Sequence, residues 1–523
     1  MRAWMLAASV ALIAMGPIVP ATGQQVRVGF GAAVTSMDPH FHALTPNVAV
    51  HQHVFGALVG LDEKLGLRPE LAESWRAVEP TVWEFKLRQG VKFHDGAPFT
   101  AEDVVFSVER VATVPNSPGR FTIYTRHIQK IEIVDPHTIR FHTPYVFPLM
   151  PNQLAGLLIV SKRASENAST ADFNAGKAAI GTGPYRFKSY VPNSTIDLER
   201  NDGFYGAKEP WERVSFRLMT NATTRVAALK AGDVELIDTV PTTDVEGLSQ
   251  DPNVQVFSTP GVRNIYLYLD QKRDQTPGVG DAEGKPLERN PLKDLRVRRA
   301  LSMAIDRDAI VRSVMSGQAS PSGQLLPAGV MGVDPELKVL RADTEAARKL
   351  LAEAGFPNGI SVVLAGPNDR YINDARVLQA IAQMWTRAGV KTRVDAQPSS
   401  VYFGKAARDE YSIGLLGWGT GTGEPDSPLQ ALIATTDNAK GWGTANRSAY
   451  SNPQVDQLLG EALSTLDRAT RDQLYRRATR LAIEDVAIIP LHHQVNIWAT
   501  RKGLTYNARN DERTMVMELR PSK

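Results

Sequence analysis

The chain of 523 residues contains no cysteine, and this absence removes several possibilities at once. Disulfide bridges, a cysteine nucleophile and cysteine-ligated metal centres are excluded. A lipid-modified cysteine is excluded as well, so we do not expect a lipoprotein. A large hydrophobic core must therefore supply the stability, and hydrophobic residues make up 43% of the chain.

The chain also has little net charge and, beyond its first residues, no long hydrophobic run. The formal net charge is +3, and no basic run is interleaved with aromatic residues, so we expect no nucleic-acid partner. A membrane-spanning helix needs about 20 apolar residues, and no segment reaches that length. We therefore expect a soluble mature protein, and the length indicates two or more domains.

The first 23 residues have the pattern of a secretory signal peptide. Arg2 gives a short positive region, and Trp4–Val19 is largely apolar. Small residues then precede a cleavage site after Gly23. These features predict a free protein in the periplasm of a Gram-negative bacterium.

The segment Trp83–Val111 predicts a strand, a tight turn and a capped helix. Apolar and polar residues alternate from Trp83 to Leu87, which is the period of a half-buried strand. Gly96 can take the positive φ of a turn. Thr100 then caps a helix, with Asp103 at the capping-box position three residues later.

Strand and helix signals alternate along the remaining chain. A Gly- and Pro-rich charged stretch at residues 274–291 is predicted to be a loop, and the order strand, helix, strand after residue 360 predicts a parallel or mixed sheet. The predicted strands are 26–30, 131–134, 138–141, 196–198, 361–364, 390–394 and 487–491; residues 181–187 are predicted to begin a hairpin, and residues 232–237 to form a turn and a buried strand. The predicted helices are 224–230, 294–313, 344–354, 373–388, 454–466 and 468–484.

Several landmarks stand in the same order as in a known family. They are SMDP at 36–39, RPELAESW at 68–75, the segment 83–111 described above, GTGPY at 181–185, ND and FY at 201–205, and VRRALSMAID at 297–306. Together they resemble the family 5 solute-binding proteins of ABC transporters, whose members carry peptides, opines, nickel complexes and similar cargo. The resemblance covers nearly the whole mature chain.

The resemblance implies an α/β, two-lobed periplasmic binding protein type II fold with an enlarged, discontinuous first lobe. We place the signal peptide at 1–23, lobe I with an extra subdomain at 24–270, lobe II at 271–488 and the return to lobe I at 489–523. The crossing segments are expected near Arg263–Gln271 and Ile488–Ala499. Solute would bind between the lobes, and an ABC permease with its ATPase would receive it from a monomeric protein. The family implies no cofactor and no catalysis.

The glycine-rich loop Gly417–Asp426 is the sharpest site candidate. The resemblance implies that it lines the cleft through Gly417, Trp418, Gly419, Thr420, Gly421 and Thr422. Peptide-binding members carry here an aspartate that pairs with the peptide ammonium, and Gly421 stands at that position. This departure disfavours ordinary dipeptides, because a buried ammonium without a carboxylate is costly. Glu424 or Asp426 could substitute, and a surface turn with a core Trp is the alternative interpretation.

Five further residues are candidates for solute contact. Ser36 and Met37 lie in what resembles the first cleft loop of the family, and His493 lies near the return crossing. Arg370 and Tyr371 stand at a strand-to-helix turn, and an arginine suits a carboxylate through paired hydrogen bonds. A surface arginine at a helix start is the alternative for Arg370.

Two histidine pairs raise the question of metal binding. His40 with His42 and His51 with His53 have a spacing that would place both rings on one side of a strand. Histidines without a third fixed ligand are more often structural, so we expect no metal site.

The function that these observations favour is capture of a peptide-like or amino-acid-conjugate solute. An opine, a sugar conjugate or a metal chelate is the alternative cargo. A secreted hydrolase is least favoured, because the chain contains neither G-x-S-x-G nor H-E-x-x-H.

Overall fold

The computed structural model describes residues 25–118 and 121–522. The predicted signal peptide lies outside the described residues. The strands are β1 Gln25–Phe30, β2 Val59–Leu61, β3 Leu67–Pro69, β4 Ala72–Glu79, β5 Val82–Leu87, β6 Lys130–Asp135, β7 Thr138–His142, β8 Tyr185–Val191, β9 Thr195–Arg200, β10 Arg213–Leu218, β11 Leu236–Ile237, β12 Val254–Leu269, β13 Val279–Asp281, β14 Ala319–Pro321, β15 Ile360–Pro367, β16 Val390–Gln397, β17 Ile413–Trp418, β18 Ile488–Arg501, β19 Leu504–Tyr506 and β20 Leu519–Pro521.

Helices cover the sheets and connect their strands. They are α1 Thr45–Val54, α2 Ala101–Arg110, α3 Met150–Leu154, α4 Lys162–Ser165, α5 Thr170–Asn174, α6 Ala222–Ala231, α7 Val245–Ser249, α8 Leu295–Met303, α9 Arg307–Ala309, α10 Thr344–Glu353, α11 Asp374–Arg387, α12 Ser399–Ala407, α13 Asp426–Pro428, α14 Pro453–Leu463 and α15 Arg468–Glu484. Within the described ranges, none of these helices is both long and apolar enough to cross a membrane.

A twelve-stranded sheet runs through the molecule, with the two longest strands at its centre. Its main order is β13-β15-β17-β12-β18-β11-β1-β10-β9-β8. Strands β12 and β18 pair antiparallel along most of their length. On one side they join strands from residues 279–418, and on the other strands from residues 25–237. Both predicted crossing segments therefore lie in this central pair.

A separate four-stranded antiparallel sheet, in the order β4-β5-β7-β6, packs beside helix α2. The helix begins as predicted, because the backbone N–H of Thr100 donates to the Asp103 carboxylate at 3.0 Å. Val104 and Val108 from α2 pack with Phe85 and Phe141 from the sheet. The predicted hairpin of β6 and β7 is confirmed.

The predicted parallel arrangement beyond residue 360 is also confirmed. Strands β15 and β16 pair in parallel, and α11 connects them. The buried face of α11 carries Val377, Leu378, Ile381 and Trp385 at helical spacing. This unit places the turn before α11, and with it Arg370, at the carboxyl end of β15.

Two sequence predictions of local structure are wrong. The stretch 294–313 is not one helix, because α8 ends at Met303 and Asp306 is extended. The Asp306 carboxylate accepts the backbone N–H of Ala309 at 2.8 Å and so begins a new helical segment. The predicted loop at 274–291 contains β13, which pairs with β15 through Val279 and Val362.

Candidate functional site

A cavity of about 170 Å³ lies beside the central strand pair. Segments distant in sequence surround it, so it forms only when the chain is folded. Its lining includes Asp238, Thr239 and Val240 after β11, Arg263 in β12, Arg370 and Ile372 before α11, Gln494–Trp498 in β18, and Glu512 near the C-terminus. Pockets at the junction of two structural units are the usual places for small-molecule binding.

Arg263 reaches this cavity from an irregularity in β12. The register between β12 and β18 shifts between Pro260 and Asn264, and Arg263 lies within this stretch. Its Nε and Nη2 donate to the two Glu512 carboxylate oxygens at 2.9 and 3.2 Å. Burial lowers the pKa of Arg263, but the Glu512 carboxylate outweighs that effect and holds the pKa above its usual value. The two side chains form a charge-compensated pair at the cavity wall.

Two cavity residues have strained backbones. Glu512 has φ +64° and Thr239 has φ +48°, although neither is a glycine and Thr239 is β-branched. Buried Arg225 holds the turn at Thr239 by donating to the carbonyl oxygens of Asp238 and Thr239 at 3.0 and 2.8 Å. Strain of this kind collects at ligand sites, where the surrounding contacts sustain it.

Arg370 lines the same cavity. The backbone N–H groups of Arg370 and Tyr371 donate to the Asp374 carboxylate at 3.0 Å each. This fixes the turn and places the guanidinium carbon 5.2 Å from the centre of the Tyr371 ring. Within residues 25–118 and 121–522, no carboxylate forms an ion pair with Arg370. An exposed, unpaired guanidinium can receive a carboxylate.

Tyr371 joins Arg370 to the glycine-rich loop. Its hydroxyl donates to the Gly417 carbonyl at 3.4 Å, and burial raises the pKa of this phenol. A Cβ atom at Gly417 would lie 2.7 Å from the Tyr371 ring, so glycine permits the close approach. The structure therefore brings together three of the candidate residues: Arg370, Tyr371 and Gly417.

Hydrogen bonds hold the rest of the loop, both within the loop and to helix α3. The Trp418 indole N–H donates to the Ser427 hydroxyl at 3.1 Å, and Thr420 Oγ1 donates to the Glu424 carbonyl at 2.7 Å. The Thr422 carbonyl accepts from the Asn152 side chain at 2.7 Å, which links the loop to α3. Gly419 lies beside the backbone of Val262 and Arg263, and Gly421 is exposed with open space around its Cα.

Neither loop carboxylate lines the cavity. Glu424 is buried and accepts two hydrogen bonds from the buried Arg471 guanidinium, at 3.0 and 2.8 Å. Asp426 is buried and accepts a hydrogen bond from the Thr422 hydroxyl. Burial raises the pKa of Asp426 to about 7. Both side chains stabilise the loop from inside.

Arg370 lines the cavity, whereas Tyr371 and the loop residues 417–422 do not, and three further sequence candidates lie elsewhere in the described structure. Ser36 Oγ and the Met37 backbone N–H are hydrogen-bonded to the Asn174 side-chain oxygen at 2.9 and 2.7 Å, and both residues are buried. His493 is buried, and its Nε2 lies 3.0 Å from the Ser322 hydroxyl. Burial lowers the pKa of His493 to about 3.

The expectation that the histidine pairs lie on strands is wrong. His51 and His53 belong to helix α1, and His40 and His42 precede it. His51 Nε2 lies 2.8 Å from the Ser36 carbonyl, and His53 Nδ1 lies 2.8 Å from the Ala49 carbonyl. Across the described residues, no group of three or more His, Asp or Glu side chains is arranged to hold a metal ion.

Sequence reasoning missed the charged wall of the cavity. It named Arg263 only as the start of a crossing segment, and it did not name Asp238 or Glu512. Arg263 and Glu512 are 249 positions apart, so no local pattern could reveal their pairing.

Comparison with known proteins agrees with this architecture. Glutathione-binding protein GsiB of Escherichia coli (strain K12) is 28% identical over 493 residues, covering 92% of this chain and 91% of that protein. Heme-binding protein A of Haemophilus influenzae is 29% identical over 478 residues, covering 86% and 83%. The structure of HbpA2 from Haemophilus parasuis superposes with a TM-score of 0.82 at 25% identity, covering 95% of this chain and 100% of that one.

These relatives confirm the predicted two-lobed type II periplasmic binding protein fold. The relatives are binding proteins by name, which fits a protein without catalysis. The sequence model described as bacterial extracellular solute-binding proteins, family 5 Middle, matches residues 66–440, and the chain belongs to this family.

Proposed function

We propose that the protein captures a peptide-like or amino-acid-conjugate solute in the cavity beside β12 and β18, in the periplasm. Family 5 proteins are periplasmic, bind small solutes and work with ABC permeases. For this chain the proposal adds the solute class, export by a cleaved segment 1–23, and lobes at 24–270 with 489–523 and at 271–488. Closure about the strand pair would bury the solute.

The observation that carries the solute class is the unpaired guanidinium of Arg370 at the cavity. Arg263 is already compensated by Glu512, and the Asp238 carboxylate lies 3.8 Å from the buried Arg225 guanidinium, so Arg370 is left as the uncompensated charge of this wall. A guanidinium binds a carboxylate through two parallel hydrogen bonds, and such charge-assisted bonds are stronger than neutral ones. A solute with a free carboxylate therefore fits.

The name of one relative supports the same chemistry. GsiB is a glutathione-binding protein, and glutathione is a peptide-like conjugate with two carboxylates and one ammonium group. Opines are amino-acid conjugates too, and they offer the same groups to Arg370. Sugar conjugates and metal chelates without a free carboxylate do not use this arginine.

The test is calorimetric titration of the purified protein with glutathione, an opine, a sugar conjugate and a nickel–histidine chelate. We expect glutathione or the opine to bind, and Arg370→Gln to weaken that binding by about tenfold or more, since a hydrogen bond to a charged group contributes about 1.5–3 kcal/mol. The matched control is Arg376→Gln, an exposed arginine on α11 outside the cavity. Equal affinity of the Arg370 and Arg376 variants would contradict the proposal.

The same samples also test the hydrolase alternative. After incubation, mass spectrometry should recover every probe intact. Turnover of a probe would show that the protein is an enzyme and would replace the proposal.

A further inference from the structure

We infer that Glu512 is the carboxylate that receives the ammonium group of the solute. The inference rests on the proposed function and deepens it, because it requires a solute with both a carboxylate and a free amine. It also explains how the solute ammonium can be paired although position 421 carries glycine and not the aspartate of peptide-binding members.

The other carboxylates near the site are buried as well as hydrogen-bonded, whereas Glu512 is partly exposed. Glu424 is bound by Arg471, and Asp426 is buried within its own loop. Asp238 lines the cavity but is 8% exposed, and it accepts the Gly31 backbone N–H at 2.8 Å and the Thr514 hydroxyl at 3.3 Å. The Glu512 side chain lines the same cavity and is 30% exposed.

Glu512 keeps acceptor capacity for a second cation. Each of its two oxygens accepts one N–H from Arg263, at 2.9 and 3.2 Å. A carboxylate offers about four lone-pair positions, so about two remain for N–H donors of an ammonium group. Before solute binds, the Arg263 charge balances Glu512, and on binding the solute carboxylate on Arg370 balances the incoming ammonium.

The backbone holds Glu512 in place independently of its side chain. The neighbouring Asp511 carboxylate binds the Arg509 guanidinium at 2.8 and 3.0 Å and the Arg513 backbone N–H at 3.1 Å. The Asn510 backbone N–H donates to the Glu63 carbonyl at 2.9 Å. These contacts sustain φ +64° at Glu512, so Glu512→Gln is expected to leave the turn intact.

The experiment compares glutathione with N-acetylglutathione, which keeps both carboxylates but has no ammonium group. Titrations use the full-length mature protein, its Glu512→Gln variant and the control Glu63→Gln, whose side chain lies outside the cavity lining. We expect the wild type and the control to prefer free glutathione by about tenfold or more, as one lost charge-assisted contact predicts.

In the Glu512→Gln variant the preference for free glutathione over N-acetylglutathione should disappear, because the affinities of both solutes change. Glutathione should bind more weakly, because its ammonium loses a partner. N-acetylglutathione should bind more tightly, because Arg263 loses its counter-charge. A merely structural defect would weaken both solutes alike.

Each outcome separates the two proposals. If the wild type binds glutathione and its N-acetyl form equally, the role of Glu512 is refuted even without a variant, while the proposed function stands. If the wild type discriminates and Glu512→Gln discriminates equally, Glu512 is again refuted. If the wild type binds neither form of glutathione, the role of Glu512 is refuted, and the proposed function fails as well if the opine does not bind either.

Discussion

The close contact between Gly417 and Tyr371 allows a quantitative test of how the site is built. A Cβ at Gly417 would lie 2.7 Å from Tyr371 Cε1 and 2.8 Å from Ile265 Cδ1. The backbone of Gly417 does not have a positive φ, so Gly417→Ala brings no conformational penalty of its own. The cost of alanine is therefore steric, and the Tyr371 ring must move.

The size of the effect follows from this contact. Inserting a carbon into a well-packed core costs about 1–3 kcal/mol. With about 2.1 cal/mol/K of unfolding entropy per residue, a chain of about 500 residues loses roughly 1–3 °C of Tm. Because the Arg370 guanidinium lies over the same ring, its displacement should weaken solute binding by about tenfold, the loss of one charge-assisted hydrogen bond.

Scanning calorimetry and titration with glutathione measure both effects. Two matched controls come from the same loop. A Cβ at Gly421 meets no atom within 4 Å, and one at Gly419 meets its nearest neighbour at 3.6 Å, an ordinary contact. Gly421→Ala and Gly419→Ala should therefore match the wild type. Equal Tm and affinity for Gly417→Ala and Gly421→Ala would refute the reasoning.

Three further changes probe the same loop. Arg471→Met should destabilise the protein by about 3–5 kcal/mol, because it leaves the buried Glu424 carboxylate without its ion-pair partner. Adding Glu424→Gln should restore part of the Tm measured by calorimetry. No recovery of Tm would contradict a stabilising role of this ion pair. The pKa of Asp426 is raised to about 7 from an unfolded value of about 3.9, so its contribution to stability is full below that lower value and is lost as pH rises through 7. Asp426→Asn should therefore raise Tm more at pH 8 than at pH 5, and an equal shift at both would contradict the burial argument. Gly421→Asp should fold normally and tighten binding of free glutathione relative to its N-acetyl form, measured by titration; an unchanged ratio would place residue 421 away from the ammonium.

Local signals in the sequence predicted the local structure well. The Thr100–Asp103 capping box and the β15–α11–β16 unit follow from spacing within short windows, and both are confirmed. The prediction of one helix at 294–313 was wrong because the spacing of hydrophobic residues does not reveal the helix cap at Asp306. The histidine spacing predicted a strand because a spacing of two residues cannot distinguish a strand from the middle of α1.

The sequence by itself determined the family and the two-lobed fold class, and it named Arg370 as a candidate for solute contact, because motifs and periodicity report short-range order along the chain. Only the tertiary structure decided which charges face the cavity. Glu424 and Asp426 are near Gly421 in sequence but face inward, whereas Glu512 comes from the far end of the chain to meet Arg263 across 249 positions. Burial and ion pairing are properties of contacts between distant segments, so they are fixed only when the strand pair β12 and β18 brings those segments together.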